Sequence, residues 1–345
     1  MRPIATTLQL ALLSLSGVIV TQAAQASNVV NIYSYRQEHL ISPLLDRFTQ
    51  KTGIETNLIT ARAGLLDRIA REGRNSPADL ILTTDITQLT DAKALKITQP
   101  IESRMLNRNV PETYWDPEKH WIGLTHRARF IFARKGSDAA VDIKSYNDLS
   151  NPRWRGEVCM RSGKSEYNLA LISSLIAHHG EAHTKDWLLG VKQNLARKPQ
   201  GNDVSQITAV SSGECTVTIG NSYYFAQMTH ELAPEDQREA ANKVVVVIPN
   251  QEEDGVHVNI SGAALARYAP NPREAIELLE FLASAEAQDM YAGVNMEFPV
   301  RRATRPSPRL RQLFPEFLSD TIPVARLGEL RKQASQLVDQ TKFDL

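Results

Sequence analysis

Two adjacent tyrosines, Tyr223 and Tyr224, follow a short apolar run in the second half of the chain. Residues 215–219 have the length and composition of a buried strand, which a glycine ends. The Asn-Ser pair that comes next favours a helix start, so a helix is predicted over residues 223–232. At such a turn both phenols can project towards one point in front of the helix. A phenolate is a hard, charged oxygen that suits ferric iron. Tyrosine pairs are also common packing elements of half-buried surfaces, so the pair needs a second observation.

Three arginines, Arg36, Arg127 and Arg129, lie at or near the ends of predicted strands. Arg127 and Arg129 share one face of a strand, so either or both could converge on a ligand with Arg36. A guanidinium group presents a planar fork of donors that suits a planar oxyanion such as carbonate. Single arginines at such positions more often form surface ion pairs, so this interpretation also needs support from the rest of the chain.

Two other stretches suggest chemistry but fit it poorly. Residues 156–165 end in Gly-Lys-Ser, as a phosphate-binding loop does, but six residues rather than four separate the two glycines. The amides at the predicted helix start there would still favour an anion. The histidine-rich stretch 178–183 lies at a predicted helix end, where cationic side chains favour the helix dipole and solvent. The sequence contains no nucleophile or zinc-protease pattern, which argues against an enzyme.

The first 26 residues have the character of a secretory signal peptide. One positive charge precedes an apolar stretch, and Ala-Gln-Ala at 24–26 is a small-x-small pattern, so cleavage is predicted after Ala26. No later run approaches the ~20 apolar residues of a membrane span. The remaining length suits two domains. Because 39 basic residues balance 39 acidic ones, bulk charge predicts no nucleic-acid or membrane-surface partner. The sequence therefore predicts an exported, soluble protein.

The two cysteines of the chain are Cys159 and Cys215. In an oxidising compartment they would form one disulfide, which would tie the strand around Cys159 to the strand that leads into the tyrosine pair. The alternative is two separate buried thiols.

The order of the predicted elements is that of an α/β protein with a parallel sheet. Strands are predicted over 29–36, 53–59 and 78–83, with helices over 40–51 and 65–72 between them. Ligands of such sheets bind beyond the carboxyl ends of the strands, where Tyr35, Arg36 and the tyrosine pair would lie. A long strand over 120–132 is a natural route from one lobe to the other. The later predictions are strands over 156–160, 244–248 and 256–265 and helices over 169–178, 185–192, 272–283 and 285–292.

Taken together, the motifs resemble those of the periplasmic ferric-iron-binding proteins that feed ABC transporters. The motifs occur in the family's order: Tyr33-Ser-Tyr-Arg-Gln37, Ser76-Pro-Ala-Asp79, Thr125-x-Arg-Ala-Arg129, Arg161-Ser-Gly-Lys164 with Tyr167-Asn168, Ala196-Arg-Lys-Pro-Gln-Gly-Asn202, Asn221-Ser-Tyr-Tyr224 and Asn259-Ile-Ser-Gly262. The resemblance covers nearly all of the chain after residue 26, and the joint pattern is very specific.

The resemblance implies a fold and a division into lobes. The fold is α/β of the periplasmic binding protein-like II class, with two α/β lobes and a hinged cleft between them. The first lobe would comprise residues 27–127 and 252–300, and the second lobe residues 128–251 and 301–345.

The same resemblance implies a function. Tyr167, Tyr223 and Tyr224 of the second lobe would bind ferric iron as phenolates, while Arg36 and Arg127 would hold a carbonate or bicarbonate that completes the coordination. The protein would then be the substrate-binding component of a ferric-iron importer, monomeric and free in the periplasm. Its partners would be an inner-membrane ABC permease and its ATPase, and it would have no enzymatic activity.

The chain departs from one branch of the family after its first strand. That branch has a His-Tyr pair after the arginine, where this chain has Gln37 and Glu38, and the nearby His39 is out of register. Glu38 could still reach the metal as a hard carboxylate ligand. Tyr35 and Arg129 are interpreted as residues behind or beside the metal ligands, with ligation by Tyr35 the less favoured alternative.

Two other functions stay open from the sequence. One is a binding protein of the same fold for an anion or small organic ligand, in which the arginines bind and the tyrosines only line the cleft. The other is a secreted enzyme, which no nucleophile pattern supports.

Overall fold

The computed structural model describes residues 28–345, so the predicted signal peptide lies outside the described residues. The strands are β1 (Val29–Ser34), β2 (Glu55–Thr60), β3 (Leu80–Thr83), β4 (Thr98–Gln99), β5 (Trp121–Arg134), β6 (Val158–Cys159), β7 (Val217–Asn221), β8 (Val244–Val247), β9 (Val258–Ala266) and β10 (Phe298–Pro299). The helices are α1 (Glu38–Thr52), α2 (Leu65–Glu72), α3 (Ile86–Ala94), α4 (Arg104–Asn109), α5 (Ala139–Asp142), α6 (Glu166–Asn194), α7 (Asp203–Ser212), α8 (Ser222–Met228), α9 (Glu235–Asn242), α10 (Pro272–Leu282), α11 (Ala285–Val294), α12 (Pro308–Leu313) and α13 (Val324–Gln340). From residue 28 onwards, no helix combines the length and apolarity needed to cross a membrane.

The first lobe is built around β1, which runs parallel to β2 on one side and to β3 on the other. β9 pairs antiparallel with β3, and β5 pairs antiparallel with β9. The prediction of a parallel arrangement is therefore correct for β1 to β3, but the complete sheet is mixed. Alternation along β1 gives the sheet two covered faces. Val30 and Ile32 lie in one core with Phe48 of α1, and Tyr33 lies in the core on the other face with Leu66 of α2.

The long strand β5 joins the two lobes. Its first half pairs with β9 and β10, and its second half pairs with β7 and β8 in the sheet of the second lobe. The predicted long strand between the lobes is confirmed. Because β5 is buried along nearly its whole length, its polar side chains need partners inside the protein.

The second lobe has its disulfide at the start of the strand whose other end leads into the tyrosine pair. β6 runs parallel to β7, and β7 pairs antiparallel with β5. A disulfide joins Cys159 of β6 to Cys215, two residues before β7, and both cysteines are buried. The predicted disulfide is confirmed. It fixes the strand that leads into the tyrosine pair to its neighbour in the sheet.

Two helix predictions are confirmed by the structure and one is corrected. The helices predicted over 169–178 and 185–192 both form within α6, and Gly180, with a φ of 81°, breaks the helical geometry between them. Glycine adopts such a positive φ at little cost. The helix predicted over 223–232 ends at Met228. Leu232 is 84% exposed, so a longer helix would bury no apolar surface there, and Pro234 precedes α9.

α13 contributes side chains to the cores of both lobes. Val324 and Leu327 lie in a first-lobe core with residues of α3, while Leu330 and Leu337 lie in a second-lobe core with residues of α6. Gly328 lies between these two groups, where α13 passes closest to α3. The division of the chain into lobes by residue number stays a prediction.

We expect Gly328→Ala to destabilise the protein by about 1–2 kcal/mol, although alanine favours helices, because overpacking outweighs helix propensity. A Cβ at position 328 would lie 2.3 Å from Cγ2 of Thr90, so one helix would have to shift. In a Thr90→Ala background the same change should cost clearly less, because only the Cβ of residue 90, at 3.0 Å, then remains in close contact. Urea denaturation of the wild type, both single variants and the double variant measures the difference. An equal effect of Gly328→Ala in both backgrounds would contradict this explanation.

Candidate metal centre

A cavity of about 270 Å³ lies between the two lobes. The second lobe contributes Tyr167, Tyr223, Tyr224 and Gln227, and β5 contributes Arg127. The rest of the wall comes from the first-lobe side: Tyr35, Arg36, Gln37, His39, Leu40, Thr84, Asn295 and Glu297. The cavity lies beyond the carboxyl end of β1, as ligand sites of α/β sheets do.

Two turns from strand or loop into helix bring the three phenols together. β7 ends at Asn221, and α8 begins at Ser222, so Tyr223 and Tyr224 occupy its first turn. Their ring centroids lie 4.1 Å apart. Tyr167 is the second residue of α6, whose N-terminal Ser165 accepts a hydrogen bond from the amide of residue 168. The hydroxyl oxygens of Tyr167 and Tyr223 are 3.2 Å apart. The structure therefore brings all three predicted tyrosines to one cavity.

Burial controls the protonation of these phenols. Burial raises the pKa of Tyr167 above its ordinary value, and the nearby charge of Arg127 only partly opposes it. Burial also raises the pKa of Tyr223 well above its ordinary value, and the neighbouring phenols Tyr167 and Tyr224 raise it further. The phenols of Tyr167 and Tyr223 are thus neutral at neutral pH unless a cation takes the place of their protons.

Arg127 lies against the tyrosines and is held from the first lobe. Its guanidinium carbon lies 5.3 Å from the centroid of the Tyr167 ring. Its Nη1 donates to Ser261 Oγ at 3.0 Å, its Nη2 donates to the carbonyl of Thr84, and the carboxylate of Asp85 lies 3.6 Å from Nη2. Nε of Arg127 has no hydrogen-bond partner within residues 28–345. Arg127 is therefore fixed at the cavity, with Nε as its one nitrogen that makes no hydrogen bond within the described residues.

Arg36 enters the same cavity from the end of β1. Its Nη2 donates to Glu297 Oε2 at 2.9 Å. When the amide of Asn295 is oriented to satisfy both of its neighbours, its oxygen accepts from Arg36 Nη1 at 2.8 Å and its nitrogen donates to the carbonyl of Leu40 at 3.1 Å. The structure thus brings Arg36 and Arg127 together at the cavity, as the sequence predicts.

Arg129 is buried behind the tyrosines and does not line the cavity. It faces Asp203 at 3.4 Å and donates to Asn221 Oδ1 at 3.0 Å and to Asn168 Oδ1. Asn221 precedes the tyrosine pair, and Asn168 follows Tyr167. Arg129 therefore links the two turns that present the phenols. Convergence of Arg129 with Arg36 on one ligand is not what the structure shows.

The residues after Arg36 differ in their positions relative to the cavity. Tyr35 lines it, and its hydroxyl accepts a hydrogen bond from the amide of Leu66 at 3.1 Å. Gln37 and His39 also line it. Glu38, the first residue of α1, is exposed and is not part of the cavity wall.

Glu297 is a buried wall residue that the sequence did not reveal as functional. It lies in the loop between α11 and β10 and is 5% exposed. Burial alone would raise the pKa of Glu297, but the charges of Arg36 and Arg127 and a hydrogen bond from Thr125 hold it below its ordinary value. Glu297 is therefore ionised at neutral pH. Its contact with Arg36 spans 261 residues of sequence, so no local motif could have indicated it.

Across the described part of the chain, no group of three or more His, Cys, Asp or Glu side chains is placed to hold a metal ion. The histidine-rich stretch lies outside this cavity wall, with His178 and His179 half-buried and His183 exposed. His178 Nδ1 lies 3.2 Å from Asp254, and its Nε2 lies 3.1 Å from Asp320.

Two α/β lobes joined by a shared strand, with a polar cavity between them, define a two-lobed binding protein of the periplasmic type II fold. The chain belongs to the bacterial extracellular solute-binding protein family, whose sequence profile matches residues 75–313. The predicted fold class is confirmed by solved structures. Ferric iron-binding protein A of Mannheimia haemolytica in an open conformation has a TM-score of 0.87 and 41% identity, over 92% of this chain and 99% of that one.

Other relatives match this chain over most of its length, and they too are described as iron-binding or iron-uptake proteins. Iron uptake protein A1 of Synechocystis is 41% identical over 312 residues, which are 90% of this chain and 86% of the relative. The major ferric iron-binding protein of Neisseria gonorrhoeae is 27% identical over 83% of this chain and 85% of its own. A Trichodesmium protein solved in complex with iron and citrate has a TM-score of 0.86 and 38% identity, over 91% of this chain and 99% of its own. These relatives are named for binding and uptake rather than for catalysis.

Proposed function

We propose that the protein binds ferric iron in the periplasm as the substrate-binding component of an ABC iron importer. Tyr167, Tyr223 and Tyr224 are the proposed metal ligands, acting as phenolates, and Arg36 and Arg127 are the proposed holders of a carbonate. The observation that carries the proposal is the convergence of three phenols on one cavity, with two hydroxyls 3.2 Å apart. The names of the relatives point the same way.

The charge of the ligand set supports a trivalent cation. Three phenolates carry three negative charges, so a ferric ion bound by them forms a neutral unit that can be buried without a solvation penalty for net charge. Phenolate oxygen is hard, which suits ferric iron better than softer divalent ions. Because burial raises the pKa of Tyr167 and Tyr223, the metal must release their protons as it binds.

The placement of the groups supports closure of the lobes around the iron. The proposed metal ligands lie in the second lobe, whereas Arg36 lies at the end of β1 in the first. A metal and an anion that touch each other between the lobes make contacts that only a closed cleft completes, so they shift the population towards it. In this proposal the closed form is what the inner-membrane permease and its ATPase receive, from a monomeric binding protein.

We expect ferric iron, added to the purified protein with bicarbonate, to produce a visible phenolate-to-iron charge-transfer band that saturates at one equivalent. Phenolate ligation is the cause of such a band, and the cavity wall supplies three phenols. An absorbance titration measures it, with gallium(III), which binds hard oxygen ligands but gives no such band, as the control. A folded protein that shows no band on iron addition would contradict the proposal.

The alternative is a binding protein of the same fold for an anion or small organic ligand. The observation that favours it is the unpartnered Nε of Arg127 at a cavity where burial keeps the phenols of Tyr167 and Tyr223 neutral without a cation. Under this alternative, anions would raise the melting temperature of the protein and iron would not. The titration described above separates the two functions.

A further inference from the structure

Glu297 lies in the wall of the cavity beside the two arginines that are proposed to hold the anion. Its Oε2 accepts hydrogen bonds from Arg36 Nη2 at 2.9 Å and from Thr125 Oγ1 at 2.5 Å. Its Oε1 lies 3.4 Å from Ser261 Oγ, and the same hydroxyl accepts from Arg127 Nη1. A carboxylate of the protein thus already occupies donors that an external carbonate would use.

Each of the four terminal nitrogens of the two arginines makes one hydrogen bond within the protein before any anion arrives. Arg36 gives Nη2 to Glu297 and Nη1 to Asn295. Arg127 gives Nη1 to Ser261 and Nη2 to a backbone carbonyl. An incoming anion therefore has to displace Glu297 from Arg36 or bind to the guanidinium N–H groups that make no hydrogen bond within the protein.

The formal charges of this buried group already cancel. Arg36 and Arg127 carry two positive charges, and Glu297 and Asp85 carry two negative charges, all on side chains that are at least nine-tenths buried. Iron with three phenolates adds no net charge. A carbonate would then add two negative charges to a neutral site, which buried sites resist unless the charge is offset.

We propose that Glu297 is an internal anion that sets the anion preference of this site. Its carboxylate takes the place of an external charge beside Arg36, so the carbonate proposed above contributes only weakly to iron binding, and a neutral or singly charged coligand is favoured over it. The inference rests on the proposed binding of iron at the tyrosines.

The test compares iron affinity with and without bicarbonate in the wild type and in Glu297→Gln. Glutamine keeps the shape of the side chain but removes one negative charge. Arg36 then lacks a charged partner and can pair with an external anion. We expect the gain in iron affinity from bicarbonate to be about tenfold larger in Glu297→Gln than in the wild type, within the range of couplings between two ligands. Glu297→Asp keeps the charge and should stay near the wild type. Glu38→Gln, at an exposed carboxylate outside the cavity wall, is the matched control and should not change the ratio.

A second measurement needs no iron. Calorimetric titration of the iron-free protein with sodium bicarbonate should give binding about tenfold tighter in Glu297→Gln than in the wild type. If the wild type fails to bind iron at all, the proposed function fails, while this titration still decides whether Glu297 acts as an internal anion.

Three results would overturn the inference. The first is a folded Glu297→Gln protein whose bicarbonate dependence and iron-free anion binding equal those of the wild type. The second is a strict requirement of the wild type for bicarbonate, which can be measured even if Glu297→Gln does not fold. The third is loss of iron binding in Glu297→Gln at every bicarbonate concentration, which would make Glu297 a metal ligand instead.

Discussion

Phenylalanine at position 223 or 224 should lower the affinity for ferric iron by more than about a hundredfold. Changes of residues that only support metal ligands typically cost about 10- to 100-fold in affinity, so loss of a ligand itself should cost more. The phenylalanine ring keeps the packing of the Tyr223–Tyr224 pair, whose centroids lie 4.1 Å apart, so the fold should survive. The same loss is expected for Tyr167→Phe. Competition with a chelator of known affinity measures the change, and the visible band should weaken in each variant.

The matched control for these variants is Tyr35→Phe. Tyr35 lines the same cavity, but its hydroxyl is engaged by the amide of Leu66, so its loss should leave the band and the affinity near the wild type. Thermal unfolding of the iron-free proteins separates a lost ligand from a lost fold. Wild-type affinity in a folded Tyr223→Phe, Tyr224→Phe or Tyr167→Phe would remove that tyrosine from the metal site. Loss of the band in Tyr35→Phe would add Tyr35 to it.

Iron binding should release protons and weaken steeply as the pH falls. The pKa values of Tyr167 and Tyr223 are raised by burial, so both phenols hold their protons in the iron-free protein at neutral pH. Iron replaces these protons, and acid therefore favours the iron-free form. With three phenols as ligands, the logarithm of the apparent affinity should fall by up to about three for each unit of pH.

Two measurements test this dependence. Calorimetry in buffers of different ionisation enthalpy counts the protons released per iron, and acid titration of the visible band locates the loss of iron. Tyr167→Phe should release about one proton fewer than the wild type, because one phenol is absent. Iron retained unchanged well below roughly pH 4 would be incompatible with this ligand set, because its ligands must be deprotonated to bind.

Much of the architecture could be predicted because local sequence patterns indicate it. The alternation of strands and helices over residues 29–83 indicates the first lobe, and the length of the β5 run, although polar residues interrupt it, indicates a strand that both lobes share. The antiparallel position of β9 could not be predicted in the same way. Its partner β3 is remote in sequence, and a buried strand has a similar pattern in either direction.

The candidate site likewise has features that local sequence indicates and features that depend on residues remote in sequence. Tyr223 and Tyr224 stand at a turn from strand to helix, which a short window of sequence indicates. The different roles of Arg127 and Arg129 depend on remote partners: Ser261 is 134 residues from Arg127, and Asp203 is 74 residues from Arg129. The sequence alone therefore does not distinguish these two arginines on one strand face, although one lines the cavity and the other supports the tyrosines from behind.

The C-terminal helix α13 gives the opening of the cleft a mechanical limit. Its first residues are anchored in the core of one lobe and its later residues in the core of the other, with Gly328 in contact with Thr90 between them. A rotation that separates the lobes must bend α13 or remove the side chains at one of its ends from the core in which they are packed. We therefore expect the cost of opening to be set partly at a distance from the cavity, so that changes in this helix alter the rate at which cargo leaves.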